Sequence, residues 1–439
     1  MNIYNYQEAF GAADITSDAM KKAMESWYAL YYAQEGTKQE NPCQRIAYTV
    51  VAKLVKTIFG EYQTRCEGTL SPKAVQALNR VSREAVQQML VGGECYLKPW
   101  VQAQGVGVGV IPRCNLLIFG RNERGEPVDV GSAEQIIRGK HYYTLLERRY
   151  LDSQGHTVIE NRLFRSLNRQ NLGVQVPLTQ LEEYAHLSAQ YRYPMPLGNL
   201  GLIRMKNPTM NCVDGSADGV AVYAAAVELI RAIDENEAQL QGEFRRGESR
   251  IIVSGDLLNE GQLTDHLFVG LDDDPQSVGI TVFSPQLREQ SFLNRKHEYL
   301  RNVESLIGLK RGMLSDANAE QKTATEIASS AGDFNLTVID FQKVWEQALM
   351  EAVVLCTNLA SAQGMGVKAE ALPTVDWGNG ILYDEDKTWA DYVDMVSRGL
   401  LRPEYALGWR FGLPTETEQQ LQLIRTKYMP NSTEPMSLN

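Results

Sequence analysis

Cysteine is scarce and unpatterned in this chain of 439 residues: Cys43, Cys66, Cys95, Cys114, Cys212 and Cys356 form no C-x-x-C pair. That excludes a thiolate zinc knuckle and a dithiol redox centre, and predicts buried free thiols of a reducing compartment. The five histidines show neither H-E-x-x-H nor another ligand-like spacing, so no metal site is expected. A phosphate loop is missing too. Gly105, Gly107 and Gly109 alternate with valine, but the G-x-G-x-x-G spacing fails at Val110 and no Gly-Lys-Ser/Thr follows. A strand with a close backbone approach is the reading.

No apolar run reaches the ~18 to 20 residues of a membrane span. The best, residues 220–230, is broken by Glu228. The first ten residues lack a basic flank and an apolar run, so no signal peptide is expected, and the chain is expected to be soluble and made in a cytoplasm. Positive charge is also short: 43 Lys plus Arg stand against 54 Asp plus Glu, for a net charge of −11. A protein that grips nucleic acid by neutralising phosphates is basic on at least one face, so this balance argues against a grip. It leaves room for a surface past which DNA slides.

What is present suits a globular protein of two or three domains, with 44% hydrophobic and 22% charged residues. Three amphipathic helices come first. One lies at 18–32 behind Ser17 as N-cap, with Met20, Met24, Trp27 and Tyr31 on one face; the others lie at about 45–62 and 72–90. Alternation and turn residues then predict strands at 94–99, 105–112, 116–119, 142–149, 157–166 and 174–176. Residues 202–214 read as an extended connection. From Gly215 a helix of some 30 residues, ~45 Å long, is predicted to run to about Arg246, apolar at Tyr223, Val227, Ile230 and Ile233 and polar beyond Asp234.

Strands at 250–253 and 279–283 flank Asp272, Asp273 and Asp274, which precede a proline, lack a calcium-loop glutamate and read as a solvated turn. A second charged helix spans 287–307, with Phe292, Lys296, Tyr299, Val303 and Leu306 sharing a face. A polar loop follows it, and Thr323 with Glu326 then forms a capping box at the start of a long helix. Val338, Phe341, Trp345, Ala348, Ala352, Leu355 and Leu359 give that helix its buried face. The remainder reads as a strand and turn at 376–384, short helices at about 385–398, 402–410 and 416–428, and a polar tail expected to be disordered.

Seven stretches, in this order, carry a resemblance: Trp-Tyr-Ala-Leu-Tyr at 27–31; Gly-Gly-Glu-Cys-Tyr-Leu-Lys-Pro at 92–99; residues 142–147 with 159–163; residues 214–234 with 250–253; residues 288–308; Lys-Thr-Ala-Thr-Glu at 322–326; and residues 376–384 with 399–412. Together they resemble the portal proteins of tailed bacteriophages, in the form common in phages of Gram-positive bacteria. The resemblance implies an α+β, mainly helical portal fold in a ring-shaped homododecamer. Its parts would be a wing at 1–215, a first stem helix at 216–246, a small β clip at 247–286, a second stem helix at 287–309, a tunnel loop at 310–322, a long wing helix at 323–365, a closing strand and crown at 366–430, and a disordered tail at 431–439.

The same resemblance implies a conduit at one capsid vertex of the virion, assembled in the host bacterial cytoplasm. Double-stranded DNA is packaged and ejected through it, without sequence preference. The implied partners are the terminase large subunit, the major capsid and scaffolding proteins, and a head–tail adaptor, with no membrane, cofactor, metal or catalytic residue. Tunnel-loop residues would be Lys310, Arg311, Ser315, Asp316, Asn318, Glu320, Gln321 and Lys322; the helix cap Thr323, Ala324, Thr325 and Glu326; and the docking face of the clip Arg250, Asp272, Asp273 and Asp274. Two other readings stand beside it: another ring-forming head–tail or baseplate protein, and a cytoplasmic hydrolase using Asp376 and Asp384 as an acid/base pair.

Overall fold

The computed structural model describes residues 3–34, 43–102, 105–247, 250–254, 268–271, 281–283, 287–315, 324–365, 371–378 and 385–429. Helix and sheet are mixed throughout, and the chain divides into two compact units, Met1–Gly60 with Thr64–Val375 and Glu61–Gln63 with Asp376–Asn439.

In the first unit, a one-turn helix α1 (Gln7–Phe10) precedes α2 (Asp18–Tyr31). Ser17 caps α2 as its sequence predicts, its Oγ accepting the Met20 N–H at 3.1 Å, and Met20, Met24, Trp27 and Tyr31 are buried. Next come α3 (Ile46–Ile58), the short strand β1 (Gln63–Arg65) and α4 (Ser71–Gly92). The predicted second helix thus ends earlier than expected, because the chain turns into β1.

Nine strands follow: β2 (Glu94–Gln102), β3 (Gly105–Pro112), β4 (Leu116–Arg121), β5 (Pro127–Arg138), β6 (His141–Leu151), β7 (Thr157–Ser166), β8 (Val174–Val176), β9 (Gln190–Arg192) and β10 (Ile203–Lys206). They form an antiparallel sheet β10-β2-β3 and an antiparallel meander β4-β5-β6-β7-β8, with β9 also on β7. Strand alternation splits neighbours between cores. Leu117 and Leu146 pack with Ile3, Tyr6 and Phe10 of the N-terminal arm, whereas Leu145 and Leu163 pack with Leu181 and Tyr184.

The glycines of β3 serve a tryptophan. Trp100 pairs with Gly107 across the sheet, and a Cβ at Gly107 would lie 2.3 Å from the indole ring. Strand β5 has no counterpart in the sequence reading because Gly131, Ser132, Ala133 and Glu134 interrupt its apolar alternation. Gly131 is needed there: a Cβ would come within 2.8 Å of the Phe10 and Phe119 rings.

A buried charge network ties these parts together. Arg113, just after β3, is fully buried. Its Nε lies 2.8 Å from Glu94 Oε1, Nη1 donates to the Leu116 carbonyl at 2.7 Å, and Nη2 donates to Thr16 Oγ1 at 2.9 Å and Asp218 Oδ1 at 3.2 Å. Glu94 also accepts from Arg204 Nε at 2.6 Å, and Asp218 from Arg121 Nη2 at 2.7 Å.

Helix α5 (Val227–Arg246) begins well after the predicted Gly215. Residues 215–223 form a loop instead, because the chain is held there by its neighbours. Gly219 lies against Gly93 so closely that a Cβ on Gly93 would fall 2.3 Å from the Gly219 carbonyl carbon. The Asn207 amide donates to the Val220 carbonyl at 2.8 Å, and the Val222 N–H donates to the Leu90 carbonyl at 2.9 Å. At 20 residues, α5 is ~30 Å long, not ~45 Å.

Strands β11 (Arg250–Ser254), β12 (Phe268–Leu271) and β13 (Thr281–Phe283) form a small mixed sheet, β12 parallel and β13 antiparallel to β11. Helix α6 (Glu289–Ile307) returns along α5, and α7 (Ala324–Ala362) follows. Val338, Phe341, Trp345, Ala348, Ala352, Leu355 and Leu359 of α7 are buried as the spacing predicts, the helix in contact with α3, α4, β2 and β10; Trp345 meets the Phe59 ring edge-on, centroids 5.8 Å apart.

After β14 (Thr374–Asp376), the second unit holds α8 (Glu385–Ser397), α9 (Pro403–Phe411) and α10 (Glu418–Tyr428). Thr417 and Gln420 form a reciprocal capping box at α10, which explains why that helix starts two residues after the expected Glu416. Tyr392 packs on Trp409, and Arg410 sits over Trp389. All six cysteines are free; Cys95 and Cys356 are buried as expected, whereas Cys212 is exposed. The polar tail at 431–439 lies outside the described residues.

Glu147 of β6 links the two sheets of the first unit, accepting from Arg149 Nε at 2.8 Å and from Lys98 Nζ of β2 at 2.7 Å. Burial pushes its carboxyl up, but Arg149 and Lys98 outweigh burial and hold it down at about 2, against an ordinary 4.5. A depressed carboxylate contributes stability above its unfolded pKa and loses it as the pH falls towards the folded value. Urea midpoints measured between neutral pH and the acid limit should therefore drop through this window. Glu147→Gln should flatten that drop and cost about 3 kcal/mol at neutral pH, since it leaves the buried Arg149 and the half-buried Lys98 short of a partner.

Candidate functional site

The region where sequence reasoning places function is the α5–α6 pair, the small sheet between them, and the turn that follows α6. The pair is antiparallel, since Glu237 of α5 meets Lys296 and Glu243, further along α5, meets the earlier Arg288. Arg288 makes a two-pronged contact with Glu243 at 3.0 and 2.8 Å, which raises the guanidinium and lowers the carboxyl from their ordinary values. Lys296 Nζ bridges Glu237 Oε2 at 3.1 Å and Gln44 Oε1 at 3.0 Å. The apolar stripe of α6 is rotated from the expected face: Leu300, Val303, Glu304 and Ile307 are buried, while Leu306 is 52% exposed.

The end of α6 is knotted. Gly308 terminates the helix with a left-handed φ of +75°, and Leu309 N–H reaches back to the Glu304 carbonyl at 2.8 Å. A turn follows, Met313 N–H donating to the Lys310 carbonyl at 3.1 Å. The Glu304 side chain, with no exposed surface, fills this turn. Its Oε1 accepts the Leu314 and Ser315 N–H groups at 2.5 and 2.9 Å, and its Oε2 accepts the Gly312 N–H at 3.2 Å and the Ser315 hydroxyl at 3.0 Å. From α3, Lys53 donates its ammonium to the Met313 carbonyl.

This arrangement sorts the predicted tunnel-loop residues. Lys310 and Arg311 are exposed side by side at the tip of the turn. Ser315 is buried, its hydroxyl donating to Glu304. Asp316, Asn318, Glu320, Gln321, Lys322 and Thr323 lie outside the described residues, as do Asp272, Asp273 and Asp274. Helix α7 starts at Ala324, where the capping box predicts, though the side chains of Ala324, Thr325 and Glu326 also lie outside them. Arg250 opens β11, its backbone in register with Phe283. Asp376 accepts the Gly378 N–H at 2.9 Å, a local turn bond, and Asp384 lies outside the described residues.

Glu304 was not legible as a site residue. Its one sequence signal is misplacement: a glutamate in the last turn of a helix faces the negative end of the dipole and calls for a local reason. Elsewhere in the first unit, an open cavity of about 1340 Å³ is lined by Trp100, Glu147, Arg149, Tyr184, Tyr191 and Tyr193, among others. Among the described residues no group of His, Cys, Asp and Glu is placed to hold a metal, and no helix is long and apolar enough to cross a membrane.

Compared with known proteins, residues 75–427 match the family described as phage portal protein, SPP1 Gp6-like. No curated protein matches the chain. The matched span contains every strand from β2 to β14, both helices of the polar pair and the Glu304 turn.

Gly308 provides a direct check on the knot. Besides its left-handed φ, a Cβ there would lie 2.6 Å from Thr337 Oγ1 of α7. Gly308→Ala should lower stability by about 1–3 kcal/mol in a urea titration, through backbone strain and this clash. Adding Thr337→Ala should recover the clash but not the strain.

Proposed function

Because the chain belongs to the SPP1 Gp6-like phage portal protein family, we propose that it forms a dodecameric ring at one capsid vertex, through whose channel double-stranded DNA is packaged and later ejected. The family is a structural one and a component of the virion. The match over residues 75–427 is the observation that carries this reading. The order of elements supports it: two antiparallel polar helices with a small sheet between them, then a basic turn and a long buried helix.

In this reading α5 and α6 are the stem, β11 to β13 the clip, residues before α5 together with α7 the wing, and α8 to α10 the crown. The clip docks the terminase large subunit during packaging and a head–tail adaptor afterwards, with Arg250 and the Asp272–Asp274 run on its face. Capsid and scaffolding proteins surround the wing as the head assembles in the host cytoplasm. A net charge of −11 suits a conduit, since every phosphate neutralised strengthens binding and slows sliding. Lys310 and Arg311 then serve as isolated phosphate contacts in an otherwise repulsive channel.

Cryo-electron microscopy of the purified full-length protein, classified without imposed symmetry, tests this directly. Rings of twelve with a central channel wide enough for duplex DNA and a stalk narrower than the body are expected. A monomer or dimer would overturn the proposal, and a ring without a through-channel would assign the chain to some other head–tail role.

A further inference from the structure

We infer that Glu304 is a positioning residue for the Lys310–Arg311 pair, a buried clamp that holds two exposed cations at one fixed place on every subunit. The inference rests on the reading that this turn faces DNA. Three observations carry it.

The first is the donor set. Four hydrogen-bond donors converge on the Glu304 carboxylate, and each comes from residues 312–315. Only an acceptor-only side chain satisfies such a site. A glutamine would turn an NH₂ group towards either the Gly312 N–H and Ser315 hydroxyl or the Leu314 and Ser315 N–H groups. An aspartate is one methylene too short to reach them. With no exposed surface, the carboxylate also cannot exchange these partners for water.

The second is the geometry around the clamp. The turn is closed on its near side by the Gly308 cap against Thr337 and from α3 by the Lys53 ammonium on the Met313 carbonyl. Three helices thus converge on a segment that by composition is polar loop. What they leave exposed is Lys310 and Arg311.

The third is charge placement. The pair lies just past the negative end of the α6 dipole, beside a buried carboxylate, so neither cation is driven away from the tip. A cation fixed before contact loses little freedom when a phosphate passes, whereas a cation on a loose loop must be ordered at each encounter. The ligand chemistry is therefore the phosphodiester backbone of a duplex, met without base contacts.

Assembled rings of the full-length protein provide the test, with hydrogen exchange read at individual amides and binding of a short mixed-sequence DNA duplex read by fluorescence anisotropy across a salt series. Glu304→Ala should speed exchange at Gly312, Leu314 and Ser315 by about tenfold or more while leaving α5 unchanged. It should weaken duplex binding to within about twofold of the Lys310→Ala/Arg311→Ala variant, and the triple variant should lose nothing further, since residues that act through one another are not additive. Glu304→Gln, which keeps one oxygen as acceptor, should fall between wild type and Glu304→Ala in exchange.

Unchanged exchange at those three amides would overturn the clamp, as would losses that add in the triple variant; either leaves the DNA-facing reading intact. If Lys310→Ala/Arg311→Ala binds duplex as wild type does, with the same salt slope, the DNA-facing reading fails and the inference with it. Should Glu304→Ala not form rings, Glu304→Gln and Ser315→Ala carry the same comparison, because the first removes one acceptor oxygen and the second one donor, and both leave the apolar face of α6 intact.

Discussion

A guanidinium with no access to water has to be satisfied by the protein, and Arg113 sets that constraint on the first unit. Its partners come from the N-terminal arm at Thr16, from the first residue of β2 at Glu94, from β4 at Leu116 and from the loop before α5 at Asp218. Arg204 and Arg121 complete the two carboxylates. Three guanidinium groups thus share two carboxylates, a surplus of positive charge that only close, well-aligned hydrogen bonds make tolerable. The network does not rank among the larger sources of stability, since a packed apolar core of the same volume would serve as well. Its effect is specificity: removing any one member strands the others, so these segments adopt one mutual arrangement.

That arrangement fixes where α5 begins. Once Glu94 and Asp218 are both held on Arg113, Gly93 and Gly219 lie in backbone contact, and no side chain fits between them. Val220 and Tyr223 are drawn into the core, with the Tyr223 hydroxyl donating to the Trp27 carbonyl at 2.9 Å. The helix leaves from this anchored loop. Near the body the two helices bury Ile230 and Ile233 on α5 and Leu300, Val303 and Ile307 on α6. Beyond Leu240, towards the far end, the pair relies largely on charged contacts such as Glu243–Arg288, and exposed ion pairs contribute about 0–1 kcal/mol each. Phe244 and Leu287 stay 41% and 39% exposed there. The pair is thus firm at its base and weakly self-sufficient at its tip.

Much of this was legible in the residues themselves. Periodicity located α2, α4, α7 and the three C-terminal helices within a few residues, because each combines an apolar stripe with a recognisable start or stop. The failures share a cause. Strand β5 was invisible because Gly131 is there to clear two phenylalanine rings, Phe10 of the N-terminal arm and Phe119 of the paired strand β4. The start of α5 was misplaced because local helix propensity across residues 216–223 is overruled by contacts to Gly93, Leu90 and Asn207. Ser315 read as an exposed loop residue because nothing in its neighbourhood reveals a buried carboxylate eleven positions earlier. Pattern reports what a segment prefers by itself; these three positions are set by what approaches it.

The same distinction bears on how an acidic protein can handle a polyanion. Composition alone predicts repulsion, and for a conduit repulsion is useful, since bound phosphates would resist movement. Composition does not say whether the few cations present are diffuse or fixed. At the end of α6 a buried anion is spent on neutral donors: the groups reaching the Glu304 carboxylate are three backbone N–H groups and the Ser315 hydroxyl. Lys310 and Arg311 are therefore left un-neutralised by the residue that organises their turn. Under the proposed reading, a channel can be repulsive on average and still present an ordered positive feature at each subunit, because the negative charge that builds the feature is hidden from the surface that displays it.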